Sequence, residues 1–428
     1  MLARCHWRGI HLLGALIFGM IGAGCSDDAF IADFDDNDRG ALLAIRSVEI
    51  VSEARILSYE LPIGVRSAVD LKRIVYRTVD AQGELTEASA LLAVPVSITD
   101  GVTLVSYQHG TIVKKDGAPS IEGSENAEAL VAVAFATDGY MAVMPDYLGL
   151  GLSPGLHPFV HAPSLGTAVV DALRAARHFA AREGIDLEDR VFLLGYSEGG
   201  YATAAAQQLI EREHADEFRL AGSAPMAAPW DLSGSMVDLF RSDASYPAPH
   251  FLPYTLLAYN DVYGLEDDLS RVFANPYDNI LPPLFDGTHT GGEIDNNLPD
   301  VPSAILAPEF VAAFDATTPF PWRDRLVEND LLGWSPTTRT RIYHCVNDDL
   351  IPVENAETAI ASFRQRGVPE SVVDLSTGDF GSHGACAPVF ILLGKFWIDD
   401  IRSGALAKDR PSVNELRRLN WRPVPTAR

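Results

Sequence analysis

Short apolar runs alternate with longer amphipathic stretches along most of this chain. Between residues 55 and 96, "RILSYELP", "LKRIVYRTV" and "TEASALLAVPV" are rich in β-branched and aromatic residues, and the turn-forming "DAQGE" separates the second from the third. This predicts an antiparallel start. "VTLVSYQ" (102–108) and "YMAVMPDY" (140–147) are almost continuous apolar runs ended by polar residues, as expected of central strands covered on both faces. "LGTAVVDALRAARHFAAREG", from Leu165 to Gly184, reads as a helix, and "RVFLLGY" (190–196) as a buried strand followed by the helix former "GGYATAAAQQLIEREHA". A further strand is expected in "FRLAGSAPMAAP" (218–229). Strands that begin antiparallel and then alternate with helices predict an α/β domain: a mostly parallel sheet flanked on both faces by helices.

The alternation stops at Pro229 and resumes at "RTRIYHCVNDDLIP" (339–352), followed by the helical "VENAETAIASFRQRG" and the strand-like "ESVVDLST". The intervening residues 229–338 are about a quarter of the chain yet hold 15 of its 38 aromatic residues and 13 of its 27 prolines. A loop of that length would be exceptional, so a packed subdomain is predicted. Set over the sheet it would form a cap, some of its aromatic side chains lining an acyl-sized pocket and most of them forming the cap's own core.

Composition narrows the partners. With 33 basic and 58 acidic side chains the formal charge is −25, a surface that repels nucleic-acid phosphates and anionic lipid headgroups. The first residues, "MLARCHWRGIHLLGALIFGMIGAGC", place Arg4 and Arg8 before an apolar run that ends in small residues, the layout of an export signal. "IGAGC" resembles the lipobox of bacterial lipoproteins, which implies lipidation of Cys25 and a place in the cell envelope. Ordinary cleavage near Ala23 or Gly24 is the other reading, and both mean export. Residues 26–40 carry six aspartates and suit a solvated tether.

Candidate chemistry lies in "GYSEGG", residues 195–200. The pattern G-x-S-x-G occurs twice, and the other copy, "GLSPG" at 151–155, acts as an internal control. There Pro154 lacks the backbone N–H that an oxyanion would need, and no helix follows, so Ser153 reads as a turn residue. Around Ser197 a strand precedes, a helix follows, and Glu198 offers its N–H, which is the context of a nucleophile elbow.

A serine hydroxyl needs a histidine to take its proton and a carboxylate to orient that histidine. In a sheet of this kind the order is serine, acid, histidine, each after a later strand. Asp348 and Asp349 end the strand "RIYHC"; Asp348, four residues before Pro352, is the expected acid and Asp349 the solvated one. His383, in the loop "GDFGSHGACAP", is the only histidine after position 344 and hence the expected base. A second oxyanion donor should follow "SYQHGT", where Gly110 lets the backbone turn and Thr111 supplies the N–H. Cys345 and Cys386 each stand three residues from a catalytic candidate. A disulfide between them is expected in an exported protein, worth about 4 kcal/mol in the chain-entropy picture. No metal-ligand spacing is present, and no cofactor is expected.

"SYQHGT", "MPDYLGLG", "GYSEGG", "NDDLIP" and "SHG", in this order, resemble the α/β-hydrolase superfamily, and within it the secretory, lipase A-like lipases and esterases. The resemblance spans residues 55–402. It implies hydrolysis of carboxylic esters or lipids through an acyl-enzyme on Ser197, and some relatives place an acidic residue near the position of His109 to help form the oxyanion hole. The expected organisation is a signal (1–25), a tether (26–54), a core (55–228 and 339–428) and a cap (229–338). A membrane would be met only through Cys25. A serine peptidase or acyltransferase on the same scaffold, and a surface binding protein that has lost turnover, are the alternatives.

Overall fold

The computed structural model describes residues 38–315 and 318–404; the signal segment, Cys25 and most of the aspartate-rich stretch lie outside the described residues. Among the described residues nine strands form one sheet: β1 (Leu42–Val51), β2 (Val69–Val79), β3 (Leu85–Pro95), β4 (Val102–Gln108), β5 (Tyr140–Pro145), β6 (Leu187–Tyr196), β7 (Arg219–Met226), β8 (Thr340–Cys345) and β9 (Val373–Gly378). Their spatial order is β1-β2-β3-β5-β4-β6-β7-β8-β9. The first four in that order pair antiparallel, and β5 through β9 run parallel. The main helices are α1 (Glu53–Ser58), α2 (Ala129–Ala136), α3 (Ala162–Glu183), α4 (Glu198–Glu213), α5 (Phe251–Tyr263), α6 (Glu354–Gln365) and α7 (His383–Ser403).

Continuous apolar strands make sense because both faces of the sheet are covered. In β6, Val191 and Leu193 join the cluster built with Val169 and Leu173 of α3, while Phe192 and Leu194 join Phe135 of α2 and Phe390 and Trp397 of α7. Each fully buried side chain of this size contributes about 1.5–3 kcal/mol of transfer free energy. The parallel strands therefore end at one rim, held rigidly from both sides.

Two expectations fail at the N-terminal edge. Residues 42–51, assigned to the tether, form β1, which pairs with β2 along its length. Register shifts between Leu42 and Ala44 and between Ser47 and Glu49 break the two-residue alternation that would have revealed it. "RILSYELP" is not a strand either, because its first residues complete α1. There Ser52 caps the helix by accepting Arg55 N–H at 3.3 Å, and Arg55 bonds Glu49 at 2.8 Å.

Between Met226 and Thr340 the chain leaves the sheet and folds into short helices around α5. Phe273, Phe285, Tyr259 and Trp322 are buried in a cluster that runs on into Leu165, Tyr201 and Phe363 of the α/β body, so the insert shares its core with the sheet domain rather than building a separate one. Tyrosines fasten this insert to the rim: Tyr254 donates to the Ile112 carbonyl at 3.1 Å, Tyr259 to Val160 at 3.0 Å and Tyr246 to Leu350 at 3.0 Å. In return, Tyr201 of α4 donates to Asn329 at 2.6 Å.

Candidate active site

Ser197 stands between the last residue of β6 and the first of α4, with φ 62° and ψ −126°. Side chains other than glycine seldom adopt such a backbone, so the surrounding packing must impose it. The packing is visible: Ser197 N–H donates to the Met226 carbonyl at 2.9 Å, and α4 presses so close to β4 that a Cβ on Gly199 would lie 1.9 Å from the Gln108 oxygen. Ser153, in the other copy of the motif, sits in a turn closed by its N–H to the Leu150 carbonyl at 3.0 Å, well before α3 begins.

The turn after β8 brings Asp348 to the same rim. Its side chain is fully shielded from solvent. Leu350 and Ile351 donate their N–H groups to Oδ1 at 3.0 and 2.8 Å, and His383 Nδ1 donates to Oδ2 at 2.7 Å. Burial alone would push the carboxyl up; the His383 hydrogen bond and charge and the Ile351 N–H outweigh it, and Asp348 is held below its usual value. Asp349, exposed at its surface, is not simply solvated, because its Oδ1 accepts the His383 backbone N–H at 2.8 Å. His383 is not a loop residue but the first residue of α7. Its carbonyl accepts the Tyr196 hydroxyl at 2.8 Å, tying His383 to the residue just before Ser197. A disulfide joins Cys345 at the end of β8 to Cys386 in the first turn of α7, with 6.2 Å between Cα atoms, so the strand before Asp348 and the helix that His383 begins are covalently linked. Ser197 and His383 line one cleft together, with no hydrogen bond formed between them in this conformation.

Donors for a developing oxyanion can be counted in the same way. Glu198 opens α4, where an N–H has no partner within the helix, and Thr111 N–H has none among the described residues. Gly110 N–H is already taken by the Glu128 carboxylate, at 3.0 and 3.1 Å, and the Tyr107 hydroxyl donates to Glu128 at 2.6 Å. His109 points away and locks the turn, bonding the Gly110 carbonyl at 2.7 Å through Nδ1 and packing against Tyr147.

Several groups at the site carry no local sequence signal. Glu128 reaches Gly110 from 18 residues away, and His157 reaches Glu198 from 41 residues away, its Nε2 2.7 Å from Oε1. His157 Nδ1 faces the Leu148 carbonyl at 2.7 Å and donates there, so the ring is held between that carbonyl and the Glu198 carboxyl. Asp146, in the "DYLGLG" stretch, is wholly buried, accepting Ser89 Oγ at 2.6 Å and the Ser120 N–H at 3.0 Å; burial pushes its carboxyl up. Only chain-distant contacts reveal such partners.

Two clefts meet at Ser197. One runs under the insert and is lined by Leu232, Met236, Phe251 and Phe310, with Thr111 and Glu198 at its inner end. The other, about 390 Å³, passes His383 and runs between α2 and α7. Of the insert's aromatic residues, Phe240, Phe251, Phe310 and Phe314 face the first cleft, and others, such as Phe273 and Phe285, pack into the cluster shared with the α/β body.

This sheet, with a strained serine where its central strand turns into a helix, defines an α/β-hydrolase. The family model described as secretory lipase matches residues 120–238. Lipase 2 of Candida albicans is 24% identical over 403 residues, covering 87% of this chain and 80% of that one. Among solved structures, the rice cell wall degrading esterase LipA from Xanthomonas oryzae is 29% identical with a TM-score of 0.76, covering 87% of this chain and 100% of that chain. Candida antarctica lipase A, at 17% identity and a TM-score of 0.66, covers 87% of this chain and 84% of its own, and shares the fold. These likenesses make the chain an α/β-hydrolase similar to the secretory lipases, and support a carboxylic ester hydrolase.

Proposed function

We propose that the chain cleaves esters through an acyl-enzyme on Ser197, with His383 as base and Asp348 as its orienting acid. His383 Nε2 takes the Ser197 proton as Oγ attacks the ester carbonyl. Asp348 fixes the tautomer through Nδ1–H and stabilises the imidazolium. The N–H groups of Glu198 and Thr111 receive the oxyanion, each worth about 3 kcal/mol of barrier. The imidazolium then protonates the departing alcohol, and a water activated in the same way releases the acid. What carries this reading is the 2.7 Å contact from the shielded Asp348 to His383, on the same cleft as the strained Ser197.

The apolar walls under the insert support an acyl chain there. Nitrophenyl esters of increasing acyl length test the proposal. Hydrolysis that rises with chain length and vanishes in Ser197→Ala is expected; amide cleavage without ester cleavage would transfer the site to a peptidase. Attachment to a membrane through Cys25 rests on the sequence pattern and is tested by detergent partition of Cys25→Ser, which should move the protein to the aqueous phase.

A further inference from the structure

We propose that the second cleft, between α2 and α7, is the binding site for the alcohol half of the ester, and that it selects bulky apolar alcohols over glycerol-like or sugar alcohols. This rests on the roles given to Ser197 and His383 above.

The path of one proton sets which half of the ester lies where. The proton that His383 takes from Ser197 is returned to the ester oxygen as the carbonyl C–O bond breaks, so that a neutral alcohol leaves and the acyl group stays on Oγ. The leaving oxygen must therefore face His383, while the carbonyl oxygen faces the donors. His383 lines the second cleft and not the first; of the two donors, Glu198 lines the first alone and Thr111 stands where the clefts meet, lining both. The alcohol is thus directed past His383, toward α7, and the acyl chain under the insert.

The walls of the second cleft then define what fits. Leu61 and Ile63 come from the turn after α1, where Ile63 N–H bonds the Leu61 carbonyl at 2.8 Å; Val131 and Phe135 come from α2, and Ile391 from α7. Most of these are only partly buried, so apolar surface is held open toward the cleft. The two charged side chains on the wall are engaged elsewhere. Glu128 holds Gly110 and Tyr107, and Lys395 is bound by Asp138 at 3.2 Å and Asp399 at 3.0 Å with its Nζ over the Phe135 ring. A polyhydroxylated alcohol would give up its water here for few hydrogen bonds, whereas an alkyl or aryl alcohol would gain apolar contact. A volume of about 390 Å³ is also far larger than a methyl or ethyl group requires.

Ethyl, hexyl and naphthylmethyl butyrate share one acyl group, and their alcohols leave with similar ease. For the unmodified protein, kcat/KM is expected to rise at least tenfold across this series, with glyceryl butyrate below hexyl butyrate. Val131→Trp and Ile63→Trp narrow the cleft from two separate elements. Either should lower the naphthylmethyl-to-ethyl ratio at least tenfold while leaving the ratio between butyryl and decanoyl nitrophenyl esters within about twofold. Val311→Trp, under the insert, should do the reverse. A flat alcohol series in the unmodified protein, or α2-side variants that change acyl preference instead, would overturn the assignment. Activity retained in Ser197→Ala would instead remove the reading on which it rests.

Discussion

Replacing Gly199 by alanine tests whether the close approach of α4 to β4 sets the chemistry. The added methyl would stand 1.9 Å from the Gln108 carbonyl oxygen and 2.7 Å from that of His109, both backbone atoms that cannot swing aside. Restoring ordinary contact requires the first turn of α4 to retreat by about 1.5 Å. Thr203 resists that retreat, since its hydroxyl is 2.6 Å from Gln108 Oε1 and 2.7 Å from the Gly199 carbonyl. Overpacking of this kind costs about 1–3 kcal/mol of stability. The larger effect should be kinetic. The retreat carries Ser197 and the Glu198 N–H away from Thr111, and a misplacement of about 1 Å can cost on the order of 100-fold. We expect kcat/KM for nitrophenyl butyrate to fall 100-fold or more, mainly in kcat, with a folded protein by circular dichroism and a lower thermal midpoint. Gly292→Ala, where a methyl group meets nothing within 4 Å, is the matched control and should remain within about twofold. A Gly199→Ala protein with kcat within twofold of the unmodified enzyme would refute the reasoning.

Further expectations follow from other contacts. Asp348→Asn should lower kcat by about 10⁴ by presenting the wrong partner to His383 Nδ1, whereas Asp349→Asn, which changes only an acceptor of the His383 backbone N–H, should cost about tenfold or less. His157→Gln should leave Glu198 as a lone buried carboxylate beside the oxyanion and reduce kcat about tenfold or more with little change in KM, and adding Glu198→Gln should recover part of the loss; no recovery would mean His157 acts only on the fold. Burial pushes His161 down to about 4, below its unfolded value near 6.5, so the unfolded chain takes up the proton first as pH falls. Stability contributed by this neutral histidine is then present above about pH 6.5 and lost between there and about pH 4, to the extent of about 3 kcal/mol. Urea midpoints at pH 7 and pH 4.5 should accordingly differ less in His161→Gln than in the unmodified protein.

The parts legible in the sequence are those in which one local signal decides the outcome. The central strands declare themselves as unbroken apolar runs because helices cover both faces. The "GYSEGG" turn declares itself because glycines must stand where backbone meets backbone, as at Gly199. β1 was hidden because its bulges scramble the alternation, and α1 because aromatic and branched residues there resemble a strand until the Ser52 cap is seen. Spacing from Pro352 favoured Asp348 over Asp349, yet only the fold reveals that each aspartate holds a different atom of His383. Glu128 and His157 could not have been found by pattern at all. Their partners are 18 and 41 residues away, and what selects them is the need of a buried polar group for another.

The central claim is that Ser197 is made nucleophilic by His383 and Asp348. Intact-mass and peptide analysis after exposure to a fluorophosphonate tests it most directly. We expect a single phosphonyl adduct on Ser197, absent in Ser197→Ala and slowed at least 1,000-fold in His383→Ala. An adduct on another residue, or labelling of Ser197 at an undiminished rate without His383, would contradict it.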